Sequence, residues 1–407
     1  VEERDLIVVG AGVSGLALAW YARRAGLTPL VLETEARVGG CLDSRRLPSG
    51  YWYELGAHTC YNSYSGLLEI LEGTGAMGKI VARGEARKRF ALLDGGRLTT
   101  MGPLSVFRQF GAWELMASAP RGLLAGKQGR TTRDYYAGVV GARNYRRVLA
   151  PFLSAVPSQN VDDFPAEGPG SLFKRRPRRK DVIKSFTLDG GLSVVADAVM
   201  AAGVEVRTST PARDIARAGA GFSVRTDAGG LTSARLALAC APSVAGVLLG
   251  PSFPELARVV GRIASARVET LGVAVRREAT ELPELAFVVP ASDIFWSAVT
   301  RDPVPDPAWR GFAFHFRPGH ARAERLSRVS QVLGVPESGF ADLSERVTAL
   351  PAPTVGHAGV VAEIDRLLAG SRLSLTGNYF AGLAIEDCVL RSRAEWRRLA
   401  ALDSVAS

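Results

Sequence analysis

Cysteine, histidine, lysine and long apolar runs are all scarce in this chain. Its four cysteines, Cys41, Cys60, Cys240 and Cys388, are scattered through 407 residues and lack the close spacing of metal ligands. They read as free thiols of a reducing compartment rather than a disulfide framework. Four histidines, all far apart in sequence, give little support for zinc or iron, so no metal is expected. There is no run of eighteen apolar residues, so no membrane-spanning helix is expected. No secretory leader is expected from the residues ahead of the first apolar stretch. The expected location is therefore the cytoplasm, with peripheral contact at the inner membrane face the one membrane role left open. No Ser–His or paired-carboxylate arrangement points to hydrolysis.

What remains is a chain long enough for two subdomains, 47% hydrophobic and 22% charged. Its formal net charge is +10, carried mostly by arginine. Much of the excess lies at Lys174-Arg175-Arg176-Pro177-Arg178-Arg179-Lys180. Such a run suits an acidic substrate, an anionic surface or a solvated loop. No aromatic residues interleave it and no nucleic-acid module accompanies it, so no nucleic-acid partner is expected.

Glycine is abundant, with 44 residues, and its placement is informative. Leu6-Ile7-Val8-Val9 reads as a buried parallel strand, followed by Gly10-x-Gly12-x-x-Gly15. Gly10 suits a tight turn, Gly12 lets backbone approach a pyrophosphate, and Gly15 lets a helix pack closely on the strand. Val13, Ser14 and Gly15 then open a helix whose free N–H groups and dipole favour an anion. Leu30-Val31-Leu32 reads as the second strand. Glu33, at its end, suits a ribose diol, with Thr34 beside it. A dinucleotide is expected here, in a Rossmann-type α/β domain.

Glu33-Thr34-Glu35-Ala36-Arg37-Val38-Gly39-Gly40 extends the fingerprint, and here the chain resembles the FAD-containing amine oxidase and protoporphyrinogen oxidase superfamily. That resemblance implies FAD, with Arg37 at a phosphate and Gly39 and Gly40 lying along the ligand. The superfamily usually has Arg or Lys where this chain has Cys41. Gly56-Ala57-His58 is similar to the Gly-Pro-Arg turn that protoporphyrinogen oxidases place beside the flavin. Histidine there replaces a permanent cation by a group that ordinarily titrates near neutrality. His58 is the candidate catalytic residue. Near the C-terminus, Thr376-Gly377-Asn378 and the helix start at Ala384-Ile385-Glu386-Asp387-Cys388 resemble the segment that closes the flavin site in protoporphyrinogen oxidases. The resemblance also places Ala212 against the adenine.

Between these motifs the chain alternates. Arg89 to Leu93 with Asp94-Gly95-Gly96 reads as a β-ribbon. Residues 104–160 read as helices over Ser105 to Ala117, Thr132 to Val140 and Asn144 to Leu153. The α/β pattern resumes at Ser185, and residues 265–350 read as antiparallel strands. The expected architecture is a discontinuous FAD-binding domain (1–84, 185–264, 351–407). Interleaved with it is a substrate domain (85–184, 265–350) of antiparallel sheet plus helical block.

These features suggest hydride removal from a small organic substrate, with electrons passed to oxygen or another acceptor. The expected donor is a carboxylated tetrapyrrole of the porphyrinogen type. Tyr61, Lys174, Arg175 and Arg176 are the candidate substrate contacts. An amine or a polyene is the alternative donor. The amine reading is weakened because none of the six lysines sits in a motif that matches the lysine amine oxidases place near the flavin. A flavin-dependent sugar mutase is suggested by the Gly-x-His turn alone. A non-catalytic flavin scaffold conflicts with intact glycine motifs.

Overall fold

The computed structural model describes residues 2–102, 105–124 and 126–404. The opening strand Glu2–Val9 lies inside a seven-stranded sheet. Pro29–Leu32 pairs on one side of it and Gly229–Leu238 on the other, both parallel. Glu205–Arg207 extends one edge beyond Pro29–Leu32. The long strand Gly229–Leu238 pairs first with Gly221–Thr226, then passes its far half to Leu373–Leu375. Ala212–Ala218 closes the other edge.

Strand side chains alternate between two cores. Leu6, Val8 and Val31 pack beneath the helices Val13–Arg24, Ser65–Gly73, Val194–Ala201 and Ile385–Ser404. Ile7, Val9, Leu30 and Leu32 pack against Pro242–Leu249, Pro254–Val260 and His357–Leu368. Coverage of both faces explains why the first strand reads as an unbroken apolar run.

A second seven-stranded sheet carries the intervening segments. Its order is Phe340–Pro351, Ser265–Arg276, Trp309–Phe316, Phe295–Thr300, Phe287–Pro290, Phe90–Asp94, Arg97–Met101. The ribbon read at 89–96 forms as expected, with Gly95 and Gly96 at φ 54° and 82° in its turn. It adds to the strands of 265–350 by a parallel pairing of Phe90–Asp94 with Phe287–Pro290, where an antiparallel sheet was expected. The direction follows because the two strands come from distant segments and are not joined by a hairpin.

The segment expected at 105–117 is two helices, Ser105–Gln109 and Ala112–Leu124. Thr132–Val140 is helical as read, with Thr131 capping it by accepting from the Asp134 amide at 3.0 Å. Ser185–Leu188 is a strand, but it joins Cys60–Tyr61 and Ile80–Ala82 in a small antiparallel sheet rather than the parallel one. Among the described residues no helix is long and apolar enough to cross a membrane.

Candidate functional site

The first glycine turn is built by close backbone approach. A Cβ on Gly15 would lie 1.9 Å from the Gly10 carbonyl oxygen, and one on Gly10, at φ +107°, would meet the Ala239 oxygen at 2.7 Å. Gly12 is different. It sits at φ −72°, ψ 173°, open to any residue, and a Cβ there would find only Gly40 Cα, at 3.9 Å. The fold needs glycine at positions 10 and 15. At position 12 the backbone makes no such demand, and a missing side chain leaves room for a ligand. No side chain caps the helix Val13–Arg24, and no acidic residue occupies its first turn. Its N-terminal amides are thus available to an anion.

The second glycine turn lies against the first. The Gly39 amide donates to the Ala11 carbonyl at 2.8 Å, and a Cβ on Gly40 would lie 2.9 Å from Gly12 Cα. Glu33 joins the turns: its carboxylate accepts from the Ala11 amide at 2.7 Å and the Glu35 amide at 2.9 Å. It keeps lone pairs for a diol. Thr34 beside it is exposed. The Arg37 guanidinium donates to the Val38 and Gly40 carbonyls at 3.0 and 2.7 Å and lies 3.3 Å from Asp43. It therefore holds the second turn in shape.

The terminal segment reaches the same place. The Thr376 amide donates to the Leu238 carbonyl at 3.0 Å. Ser392 on the helix Ile385–Ser404 donates to the Ser14 carbonyl at 2.8 Å. Gly377 and Ile385 are buried, while Asn378 and Ala384 are partly exposed. The helix acids face elsewhere. Glu386 is fully buried and accepts from Ser65 Oγ and the Gly66 and Leu67 amides, capping the helix Ser65–Gly73. Asp387 pairs with Lys174 at 3.0 Å and Arg176 at 2.8 Å. Two of the cations expected at a substrate are thus committed to the cofactor domain's last helix, and Arg175 is exposed without joining them. The basic run works as a strap. Tyr61 is exposed and packs edge-on to Tyr64. Cys388 is buried, and burial pushes its thiol far above the usual range. Ala212 starts an edge strand and packs on the second core.

His58 lies where the two sheets meet. The Ala57 amide donates to the Cys41 carbonyl at 2.9 Å, and a Cβ on Gly56 would overlap that same oxygen at 2.2 Å. This fixes the turn, while burial pushes the Cys41 thiol up to about 11. His58 Nε2 is 3.4 Å from Nε2 of His315, on the strand Trp309–Phe316 of the second sheet. His315 Nδ1 in turn meets Thr270 Oγ1 at 3.0 Å. Burial, with His315 alongside, holds His58 well below its ordinary value; burial brings His315 to about 4. The pair is neutral at pH 7, which corrects the expectation that His58 titrates near neutrality.

Beside His58 lies a small cavity of about 20 Å³ lined by Glu54, Arg83, Thr187 and Arg301, with Trp52 and Phe312 among its walls. Glu54, Arg83, Thr187, Arg301 and His315 did not stand out in the sequence. Glu54 is two residues before the recognised turn, and the arginines sit in no motif. Among the described residues no lysine lines this space. Glu54 accepts from Ser44 Oγ at 2.7 Å and the Leu192 amide at 2.8 Å, yet burial outweighs both and raises its carboxyl to about 7. A carboxyl raised on folding binds its proton more tightly in the native state. Wild-type stability is therefore expected to fall as pH rises from about 4.5 to about 7. Glu54→Gln keeps an acceptor for the Leu192 amide, can donate to Ser44 Oγ in place of accepting from it, and should flatten that part of the profile, measured by urea denaturation at each pH. Parallel profiles for the two proteins would contradict it.

Residues 8–72 match the model of an NAD(P)-binding Rossmann-like domain. The chain is 22% identical to coproporphyrinogen III oxidase of Propionibacterium freudenreichii subsp. freudenreichii, spanning 95% of this chain and 89% of that protein. A candidate protoporphyrinogen oxidase from Exiguobacterium sp. 255-15 superimposes with a TM-score of 0.79 at 20% identity, over 99% of this chain and 98% of that one. Cyclohexylamine oxidase from Brevibacterium oxydans IH-35A gives 0.72 at 15% identity, over 99% and 100%.

The chain has the fold of the FAD-dependent amine oxidase and protoporphyrinogen oxidase superfamily. The residues present fit FAD. Gly12 leaves an open backbone at an uncapped helix end, for a pyrophosphate. Glu33 stands at the end of the second strand, for a ribose.

Proposed function

We propose that this protein is an FAD-dependent oxidase of a porphyrinogen, of the coproporphyrinogen or protoporphyrinogen type. Bound FAD would supply a two-electron hydride acceptor. This chain's own residues would bind and orient the donor, exclude water and receive the proton. Gly12, Gly40, Glu33 and the amides opening Val13–Arg24 would hold the cofactor. His58 is neutral at pH 7 and its Nε2 faces His315, so its Nδ1 would be the ring nitrogen to take the N–H proton that a pyrrole releases as its neighbouring carbon is oxidised. His315, itself held through Thr270, orients that ring across the gap between the sheets.

The observation that carries this reading is the His58 cavity. It is walled by Trp52 and Phe312, carries two arginines and, among the described residues, no lysine. The acidic side group of an anionic donor suits those walls and charges better than an amine, which arginine would repel. The similarity to a coproporphyrinogen III oxidase over nearly the whole chain supports the same choice.

Anaerobic mixing with coproporphyrinogen III, protoporphyrinogen IX, a primary amine and a polyene, each in turn, tests it. Bleaching of the oxidised flavin by a porphyrinogen and by neither of the other classes is expected. Bleaching by the amine or the polyene alone would overturn the assignment.

A further inference from the structure

The cavity beside His58 holds more positive charge than its own residues neutralise. Arg83 follows the strand Ile80–Ala82 of the small sheet. Arg301 follows the strand Phe295–Thr300 of the large one. The two loops are fastened together, because the Gly84 amide donates to the Pro303 carbonyl at 2.6 Å. Both side chains line the same space. Among the described residues neither makes an ion pair with a carboxylate. Arg301 lies 4.8 Å from the Tyr51 ring centroid and 4.1 Å from that of Trp52, and it donates one Nη to the Val304 carbonyl. Its Nε is buried with no partner. Thr187, 3% exposed on the same wall, has a buried hydroxyl with no partner either. Glu54 offsets Arg301 only in part: it acts on that guanidinium from a distance, while its carboxyl accepts from Ser44 and Leu192 and forms no ion pair with it. His58 faces His315 and carries no charge at pH 7.

Buried donors without acceptors are costly, and a guanidinium in a closed space is more so. A cavity that keeps two cations without carboxylate partners, one of them with a buried orphan Nε, and an orphan hydroxyl is suited to an oxyanion brought in from outside. Arginine offers a planar fork matched to a carboxylate. At about 20 Å³ the space is far too small for a whole organic donor and suits a single small group carried on a larger molecule.

We propose that this cavity is a carboxylate socket, in which Arg83 and Arg301 grip one carboxylate of the substrate and Thr187 donates to the same group. That the carboxylate belongs to a porphyrinogen side chain rests on the function proposed above. The socket itself rests on the unpaired cations and the orphan hydroxyl. Arg83, Arg301 and Thr187 thus become the residues that select acidic donors, in place of the basic run at 174–180.

Propionate is the probe, titrated into the FAD-loaded protein while flavin absorbance is followed. A saturable spectral change is expected with propionate and none with its methyl ester. Arg83→Gln should weaken propionate binding roughly tenfold or more, as loss of a charged hydrogen bond does, and Arg83→Lys should restore part of it. Thr187→Val should weaken it a few-fold while leaving thermal stability unchanged, because its hydroxyl satisfies nothing within the fold. It keeps the test decisive if Arg83→Gln does not fold. Absence of saturable propionate binding in the wild type would overturn the socket. So would equal binding by the wild type and both Arg83→Gln and Thr187→Val. Porphyrinogen oxidation is scored separately. Turnover without propionate binding removes the socket and keeps the function; binding without turnover does the reverse.

Discussion

Gly12→Ala should give a folded protein that no longer holds FAD, whereas Gly15→Ala should fail to fold. The contrast follows from two glycines of one motif. At Gly15 an added methyl would sit 1.9 Å from the Gly10 carbonyl oxygen, a backbone atom pinned between the opening strand and helix. The strain is well beyond the ~1–3 kcal/mol of ordinary overpacking. At Gly12 the backbone is already in a region open to alanine, and nothing in the protein lies nearer than 3.9 Å. Replacing a glycine there reduces the freedom of the unfolded chain, worth about 0.4–1 kcal/mol in favour of folding. Gly12→Ala should therefore melt at or slightly above the wild-type temperature of the apoprotein. Its methyl would occupy space a pyrophosphate needs. Circular dichroism and flavin content together check this; a Gly12→Ala protein that retains its flavin would contradict it.

Asp302→Ala should cost about 3–5 kcal/mol, the loss typical of breaking one partner from a buried ion pair. Asp302 and Arg310 are 2% and 3% exposed at the side chain. Two contacts join them, at 2.9 and 2.6 Å. Arg310 also donates to the Leu282 and Pro283 carbonyls, and Asp302 accepts from the Leu285 amide at 3.2 Å. Removing the carboxylate strands a guanidinium inside the second sheet. It also frees the loop that begins at Arg301, so residual folded protein should bind propionate more weakly than wild type. Chemical denaturation measures the first effect. A loss under about 1 kcal/mol would show that the pair contributes little beyond what packing supplies.

The cofactor half of the molecule was legible because its chemistry is local. Gly10, Gly12, Gly15, Glu33, Gly39 and Gly40 lie within 31 consecutive positions, and their spacing alone implies a strand, a turn and a helix end. Side-chain destinations were less legible. The resemblance implies Arg37 at a phosphate, and nothing in the local sequence tells that its guanidinium also donates to the Val38 and Gly40 carbonyls. Lys174 and Arg176 read as free charge, because Asp387 lies more than 200 residues away and only the fold brings it to them. The substrate side was hardest to read. His58 and His315 are 257 positions apart. Arg83 and Arg301 belong to different sheets. Pairings across such separations are set by how two domains pack, and no periodicity in either segment encodes them. The pairing of Phe90–Asp94 with Phe287–Pro290 was hidden for the same reason.

The most direct test of the account is the identity of the bound dinucleotide. Residues 8–72 match a nucleotide-binding domain described for NAD(P), whereas the second glycine turn and the segment from Gly377 to Ile385 call for FAD. Purified protein, reconstituted with an equimolar mixture of FAD, NAD and NADP and then desalted, should release FAD on heat denaturation, about one per chain. Release of a nicotinamide dinucleotide instead, or of no flavin at all, would contradict it.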